Sequence, residues 1–300
     1  MSALLEKTAE PHIRPRIELG FHLRMAYAVL TLVIISYAGC KLTSIHTDLS
    51  GRVIAIFAVF AMIAPLPIYW QEKGRTLLRE SSLVIPWELL LAALLPYPVL
   101  IAARLNMPLQ DSLLGHIDQS LGVSAPAIMA WANRHWIGAV VSSSYPLLQT
   151  LMTVAALAPA LVGKMKHARE FLFANMVAFA IGVPMFALLP AVGPWYYYHL
   201  TPYSAQVYCW TQLQLLRSPG VFTLNSQGVG VVCFPSFHVI WAILSASALW
   251  VFRPIRVPVA LLSGMIVVST LTTGWHYFID VLAGIAVAAL SMAIAKVYAV

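Results

Sequence analysis

The chain has 300 residues, of which 60% are hydrophobic and only 10% are charged. Soluble globular proteins carry about 25% charged residues, so this composition excludes a soluble globular domain and indicates an integral membrane protein. The net charge of +7 does not indicate a nucleic-acid partner, because the Lys and Arg residues lie in short clusters between apolar runs, a pattern typical of membrane orientation.

Eight apolar runs follow one another along the chain, and each is about long enough to cross a hydrocarbon core of about 30 Å. We therefore predict an all-α, polytopic membrane helix bundle with about eight transmembrane helices. The first run follows a polar segment of mixed charge and is long enough to span, so we expect a cytoplasmic tail at 1–22 and no cleavable signal peptide. The predicted spans are 23–40, 53–70, 83–103, 136–162, 171–189, 235–252, 257–273 and 275–297.

The basic residues are divided unevenly between the two sides that these spans define. Thirteen of the 18 Lys and Arg residues lie on the side of the two termini, and the others lie on the opposite side. Cytoplasmic loops carry the excess of positive charge, so both termini are predicted to be cytoplasmic.

The outer side holds two long segments, 106–135 and 190–233. The apolar spacing of the first predicts a helix that lies at the interface. The second contains W-Y-Y-Y-H, from Trp195 and Tyr196 to His199. Aromatic residues in a segment at the membrane surface either contact a substrate or anchor the chain at that surface, and the sequence favours neither role.

Two of the three cysteines, Cys209 and Cys233, fall in the second outer segment, and Cys40 falls in the first span. Cys209 and Cys233 form a disulfide or remain two unrelated thiols, because sequence spacing alone does not decide the distance between them.

A histidine and an aspartate begin the last span. Asp280 follows His276 by four residues, so a helix would place both side chains on one face. A carboxylate that accepts one ring N–H fixes the histidine tautomer and leaves the other nitrogen free as a base or nucleophile. A paired carboxylate in a bundle interior can also serve only to join helices, so the pair alone leaves both interpretations open.

The sixth span begins with a second polar group. Pro235 suits the first position of a helix, and Ser236 and His238 follow it. The topology places the N-termini of the sixth and eighth spans on the same outer face. Each helix start offers backbone N–H groups and a partial positive charge. We predict that both helix starts and these side chains converge on one phosphate.

These residues resemble motifs of the type 2 phosphatidic acid phosphatase (PAP2) superfamily. P-S-F-H at 235–238 resembles its P-S-x-H motif. The stretch from Ser269 through His276 to Asp280 resembles its S-R-x5-H-x3-D motif, with Thr270 in place of the arginine. The first motif of the family, K-x6-R-P, is not present before the second.

In its place stands L-P-A-V-G-P-W-Y, at 189–196. This stretch, the S-T-x3-G-x-H-Y run and the upstream D-S-L-L-G-H-I-D-Q-S-L-G are similar to the inositolphosphotransferase-like branch, the relatives of fungal inositol phosphorylceramide synthase. The resemblance covers roughly 105–290. It implies a PAP2-like catalytic domain at 106–300, preceded by accessory transmembrane helices at 23–105.

The resemblance also implies roles for single residues. His276 would attack phosphorus and form a phosphohistidine, Asp280 would orient it, and His238 would protonate the leaving alkoxide. Ser236 would hold phosphate oxygens. Ser269 and Thr270 would also bind phosphate or would bond carbonyl groups of their own helix. No metal and no cofactor would be required.

The implied partners are a membrane lipid substrate and a lipid or alcohol acceptor, at the periplasmic face of a bacterial inner membrane. A phosphomonoester dianion is usually held by Arg and Lys, and Thr270 and Trp195 stand where the family would supply such cations, the second only by a loose correspondence. We therefore expect a phosphodiester substrate. Arg217 and His199 are candidate replacements for the missing cations, or ordinary solvated residues.

Several alternatives stay open from the sequence. They are a PAP2-type phosphomonoester phosphatase, a transporter with a polar path through His238, His276 and Asp280, a metal or haem protein that uses the two histidines, and a non-catalytic relative. Glu88, after Pro86, is predicted to lie in the first turn of the third span, where a helix start favours a carboxylate. The donor lipid, the acceptor and the oligomeric state are not determined by the sequence.

Overall fold

A computed structural model describes residues 15–46, 65–223 and 230–299. The structure is 77% helical, which agrees with the predicted all-α class. The helices on the N-terminal side are α1 (Pro15–Leu42), α2 (Leu66–Glu72), α3 (Thr76–Leu94) and α4 (Pro96–Arg104). They are followed by α5 (Asp111–Ser120), α6 (Ala125–Arg134), α7 (Trp136–Ser143), α8 (Leu147–Leu161), α9 (Met165–Leu188), α10 (Pro194–Tyr197), α11 (Ser204–Arg217), α12 (Phe237–Leu249), a 3-10 turn (Arg253–Ile255), α13 (Arg256–Thr272) and α14 (Phe278–Tyr298).

The described residues contain five helical segments that are long and apolar enough to cross a membrane. The helices α7 and α8 form a pair bent by 43°, which makes a sixth if the pair crosses as one span. The count of about eight spans is therefore not confirmed. Most of the predicted span 53–70 lies outside the described residues. The five segments are Gly20–Leu42, Leu77–Arg104, Met165–Leu188, Arg253–Thr272 and Phe278–Tyr298.

The sixth predicted span is shorter than expected. Helix α12 has 13 residues, so it is about 20 Å long and about 10 Å short of a hydrocarbon core. It packs against α8, α9, α13 and α14. Because protein surrounds it, the irregular backbone before Phe237 can lie below the membrane surface without meeting lipid. The start of α12 is therefore placed inside the bundle.

The helices on the N-terminal side are joined to the rest of the bundle by close contacts near the end of α4. Helices α3 and α4 pack against α9, and α4 also packs against α11. The guanidinium group of Arg104, at the end of α4, donates hydrogen bonds to the carbonyl oxygens of Thr43, Leu216, Ser218 and Gly220. Carbonyl groups at helix ends lack partners within the helix, so Arg104 joins the C-terminal ends of α1, α4 and α11 here.

A short parallel pairing lies at the same end of the molecule. Strand β1 (Ile45–His46) pairs with β2 (Phe222–Thr223), with Ile45 opposite Phe222 and His46 opposite Thr223. The sequence did not predict this pairing, because two-residue strands carry no recognisable period.

The outer segment predicted as an interfacial helix contains two short helices, α5 and α6. The buried residues of α5 are spaced three or four apart and make one face. This face packs against α10 and α14. Its members are Asp111, Leu114, Gly115 and Asp118.

One local prediction is wrong, and the structure decides one alternative that the sequence left open. Glu88 lies in the interior of α3, twelve residues after its first residue Thr76, and not in a first turn. The helix therefore continues through Pro86, and the carboxylate of Glu88 cannot interact with a helix start. Cys209 and Cys233, whose pairing the sequence left open, are both free thiols.

Candidate active site

Helix α12 begins with a serine that caps it. The hydroxyl oxygen of Ser236 accepts a hydrogen bond from the N–H group of Val239 at 3.4 Å, and the N–H of Ser236 donates to the carbonyl of Asp280 at 3.1 Å. Pro235 therefore precedes the cap, and the prediction that it is the first helical residue is wrong. The second contact joins the start of α12 to the first turn of α14. Gly284 permits this approach, since a Cβ atom there would lie 2.8 Å from the carbonyl oxygen of Ser236.

Helix α14 begins one residue after Tyr277, so His276 precedes the helix and is not part of it. Asp280, the third helical residue, accepts a hydrogen bond from the N–H of Tyr277 at 2.8 Å. The chain folds back at this cap and brings His276 over the carboxylate, with 3.5 Å between Nδ1 and Oδ2. The four-residue spacing therefore gives the predicted proximity through a capping turn, and not through a shared helix face.

The same helix start receives a second carboxylate from α5. Asp118 accepts hydrogen bonds from the N–H groups of Phe278, at 2.7 Å, and Ile279, at 2.9 Å. Carboxylates stabilise helix N-termini through these bonds and through the helix dipole. The first N–H groups of α14 are thus occupied by protein. The prediction that this helix start binds phosphate is wrong for these N–H groups.

His276 is held by one of its two ring nitrogens. Its Nδ1 lies 2.8 Å from the carbonyl oxygen of Cys233 and 3.5 Å from Asp280. The carbonyl can only accept a hydrogen bond, so this contact requires Nδ1 to carry the proton. The side chain is 3% exposed. The unprotonated nitrogen is therefore Nε2, which suits a nucleophile.

The thiol of Cys233 completes this arrangement. It lies 3.2 Å from Oδ2 of Asp280 and donates to it. Burial raises the pKa of Cys233 well above its usual value, and the neighbouring carboxylates raise the pKa further. The group therefore remains a thiol that can donate.

His238 lies opposite His276, with 5.8 Å between the ring centroids. One face of His238 stacks on Tyr145, at 4.2 Å between centroids, and Tyr145 in turn stacks on Trp275. The hydroxyl of Tyr145 lies 3.4 Å from Nδ1 of His238. Tyr145 is located at the bend between α7 and α8. The break in this predicted span therefore places the Tyr145 ring against His238.

The two histidines line one cavity of about 330 Å³. Its other described lining residues are mostly apolar or aromatic, and they include no Lys or Arg. They are Pro96, Val99, Tyr145, Phe179, Ala205, Cys209, Gly230, Val231, Val232, Phe237, Trp241 and Trp275.

A family comparison bears on this geometry. The family model described as the PAP2 superfamily matches residues 112–294, which include both histidines and Asp280. The chain belongs to the PAP2 superfamily. Comparison with curated proteins and with solved structures gives no match.

The PAP2 match begins within α5, next to a residue that organises the loop at 189–193. The carboxylate of Asp111 accepts hydrogen bonds from the N–H groups of Val192 and Gly193 and from the hydroxyl of Tyr277, at 2.8–3.1 Å. Gly193 has φ of +124°, and a Cβ atom there would lie 2.7 Å from the carbonyl oxygen of Trp275. Asp111 thus fixes the loop at 189–193 against the start of α14.

Burial acts on the ionisation of Asp111, Asp118 and Tyr277. It raises the pKa of Asp111 and of Asp118, and the N–H groups that donate to each carboxylate lower it in part. Burial also raises the pKa of Tyr277, so its hydroxyl remains protonated and donates to Asp111.

Five residues of the site have no catalytic role predicted from the sequence: Asp111, Asp118, Tyr145, Trp275 and Cys233. A signal existed for the two aspartates. They stand seven residues apart in a predicted helix, which places both on one face. No local pattern marked Tyr145 or the carbonyl group of Cys233.

Ser269 and Thr270 stand at the third PAP2 motif, but their hydroxyl groups have other partners. Each donates to a carbonyl three residues earlier, Ser269 to Ile266 at 2.6 Å and Thr270 to Val267 at 2.7 Å. Both residues are fully buried. Of the two alternatives from the sequence, the geometry favours bonds within the helix. A role in phosphate binding stays a prediction.

The predicted substrate contacts lie in different places. Trp195 is buried in a small cavity that Cys233 and Trp275 also line, whereas Tyr196 is exposed and packs on Trp210. His199 is exposed, with φ of +53°. Arg217 donates to the carbonyl of Met107 at the end of α11, and burial lowers its pKa. Of the four, only Trp195 borders the histidine site.

One group of described residues could hold a metal ion. The ligand atoms of Cys233, His276 and Asp280 lie within 4.8 Å of one another, and all three residues are buried. A histidine, a cysteine and a carboxylate match the ligand preferences of zinc. This set differs from the pair of histidines that the sequence suggested, because His238 is not part of it.

Proposed function

We propose that the chain is an integral-membrane lipid phosphotransferase that acts on a phosphodiester headgroup through a phosphohistidine on His276, at the outer face of a bacterial inner membrane. The main support is that His238 and His276 line one cavity. His276 is held there through Nδ1, which leaves Nε2 free to act as the nucleophile. Membership of the PAP2 superfamily supports a phosphatase or a phosphotransferase.

In the first step, Nε2 of His276 forms a bond to phosphorus, and the bond from phosphorus to the leaving lipid oxygen breaks. His238, protonated, gives its proton to that oxygen. The Nδ1 proton stays on His276, and the carboxylate of Asp280 offsets the positive charge that develops on the ring.

In the second step, an alcohol oxygen bonds to phosphorus and the bond to Nε2 breaks. His238, now neutral, takes the proton of that alcohol. Both histidines thereby return to their starting protonation states, so no proton is gained or lost over the cycle.

The charge of the cavity supports a diester over a monoester. A phosphomonoester dianion is usually held by Arg and Lys groups, and the described lining residues include neither. The first turn of α12 supplies a partial positive charge, which suits a single negative charge on the reacting phosphate. Arg217, the candidate replacement cation, is bound to Met107.

The test uses purified protein in lipid, supplied with labelled phosphatidylinositol, phosphatidate or polyprenyl diphosphate, with and without diacylglycerol or ceramide as acceptor. We expect a labelled transfer product from phosphatidylinositol and an acceptor. If phosphatidate is dephosphorylated about tenfold better, roughly 1.4 kcal/mol in the transition state, the diester proposal is wrong and a lipid phosphatase is the better description.

The proposed side of the membrane has a separate test. Leu121, after α5, is half exposed, and the side chain of Lys166, at the start of α9, is 66% exposed. A cysteine at position 121 should react with a bulky thiol reagent from outside the cell, and one at position 166 only after permeabilisation. The opposite pattern would reverse the topology and move the candidate site to the cytoplasmic side.

A further inference from the structure

A larger cavity adjoins the histidine site within the membrane region. Its volume is about 450 Å³, and it is bordered by α3, α8 and α9. Pro96, Phe179 and Trp241 line both this cavity and the one that contains His238 and His276. The two spaces are therefore adjacent, and the aromatic rings of Phe179 and Trp241, 5.8 Å apart, stand where they meet. We call the larger space the α3–α9 groove.

The groove is mostly apolar, but a carboxyl group faces it. Glu88 lines the groove and is 9% exposed, and neither of its carboxyl oxygens has a hydrogen-bond partner in the described part of the chain. An unpartnered polar group in apolar surroundings is costly, and an ionisable residue within a membrane helix is commonly functional. Glu88 therefore requires a partner that the described residues do not provide.

A second polar group without a partner stands at the junction. The indole N–H of Trp241 is buried and has no acceptor among the described residues. Glu88 precedes Pro96 by eight residues, which corresponds to about 12 Å along a helix. The groove thus presents a hydrogen-bond donor, Trp241, where it meets the histidine cavity, and an acceptor, Glu88, about 12 Å along the helix from Pro96 at the same junction.

We propose that the α3–α9 groove binds a hydrocarbon chain of the substrate lipid, and that Glu88 accepts a hydrogen bond from a hydroxyl or N–H group on that chain. Continuity with the histidine cavity places the phosphate at His276 and the chain in the groove. The indole N–H of Trp241 would then bind a carbonyl group near the head of the chain. This substrate class, a lipid with a donor along its chain, rests on the proposed function.

The first experiment tests occupation of the groove by the chain. Ala156 lines the groove from α8, whereas Val154, on the same helix, is 43% exposed. Ala156→Trp should lower kcat/KM for dioleoyl phosphatidylinositol by about tenfold or more and leave that for the dihexanoyl form nearly unchanged, because a short chain does not reach the filled space. Val154→Trp should affect neither. If Ala156→Trp lowers kcat/KM equally for the dioleoyl and the dihexanoyl substrate, the proposal that the groove binds the lipid chain is wrong.

The second experiment tests Glu88 with two substrates that differ by one hydroxyl group. Wild-type protein should prefer 12-hydroxystearoyl over stearoyl phosphatidylinositol by about fivefold, the effect of one hydrogen bond. Glu88→Leu should remove the preference and retain turnover of the plain chain, and Glu88→Gln should keep it, since the amide oxygen still accepts. An unchanged preference in Glu88→Leu, or none in wild type, would contradict the role of Glu88.

A binding measurement separates this proposal from the proposed function. Phosphatidylinositol with a diazirine in its chain should photolabel peptides that cover 88–96 and 149–157, also in a His276→Ala variant. Labelling there in a wild-type protein that turns over no substrate would support the groove and count against the proposed function. Turnover without labelling of these peptides would support the proposed function and contradict the binding of the lipid chain in the groove.

Discussion

The two helix starts that carry the histidines are capped in different ways. Helix α12 is capped by its own serine, since Ser236 accepts from Val239 three residues later. Helix α14 is capped from a distance, because Asp118 on α5 accepts from Phe278 and Ile279, about 160 residues later in the chain. The start of α14 also contains the carboxylate of Asp280.

This difference indicates a division of roles. Two carboxylates occupy the positive end of α14, so they would repel a phosphate from that helix start and instead fix the chain that carries His276. The start of α12 is capped by a neutral hydroxyl and keeps its partial positive charge. We therefore expect α12 to receive the phosphate and α14 to hold the nucleophile.

The largest expected effect comes from the histidines themselves. His276→Ala should lower kcat by about 10⁴ or more, and His238→Ala by about 10²–10⁴, because the first removes the nucleophile and the second the general acid. Turnover of labelled lipid measures both. His116→Ala, an exposed histidine on α5, is the matched control and should be near wild type. Substantial turnover in His276→Ala would exclude the phosphohistidine.

Asp280→Asn tests whether the α14 start orients the nucleophile. The amide can still accept from the N–H of Tyr277, but it cannot offset a charge on His276. We expect kcat to fall by about 10²–10⁴. The midpoint of thermal unfolding in detergent should stay near that of the wild type, which would show that the variant is folded. If kcat stays near wild type, the 2.8 Å contact of Nδ1 with the carbonyl of Cys233 is sufficient for orientation.

The two caps can be compared directly through stability. Asp118→Ala removes two charge-assisted bonds and should cost about 1.5–3 kcal/mol, whereas Ser236→Ala removes one neutral cap and should cost about 1 kcal/mol. Denaturation in mixed micelles measures both, with the exposed Ser120→Ala as control. A smaller loss for Asp118→Ala than for Ser236→Ala would show that the distant cap is not the stronger one.

Tyr145→Phe should have the smallest effect. It keeps the ring that stacks on His238 and removes only the hydroxyl 3.4 Å from Nδ1, a long hydrogen bond. We expect kcat to fall by about twofold to fivefold. Tyr145→Ala, which also removes the stack, should lower kcat further. Equal effects of the two variants would assign the whole contribution to the hydroxyl.

The sequence by itself determined the membrane class, the positions of five of the eight predicted spans and the association of His276 with Asp280. These properties depend on local quantities. A run of about 20 apolar residues is sufficient to span a membrane, and a four-residue spacing brings two side chains together in a helix or in a capping turn. The sequence also placed His238 near a helix start, from Pro235 as the expected first helical residue, and the structure instead has Ser236 as the cap.

Only the tertiary structure decided which helix start stays open, how His276 is held and where Glu88 lies. Asp118 reaches α14 from α5, the carbonyl of Cys233 reaches His276 across 43 residues, and Tyr145 stacks on His238 from a bend in another helix. Such contacts depend on packing between distant segments, which no local period encodes. The position of Glu88 differed from its prediction because a helix can continue through a proline when neighbouring helices support it.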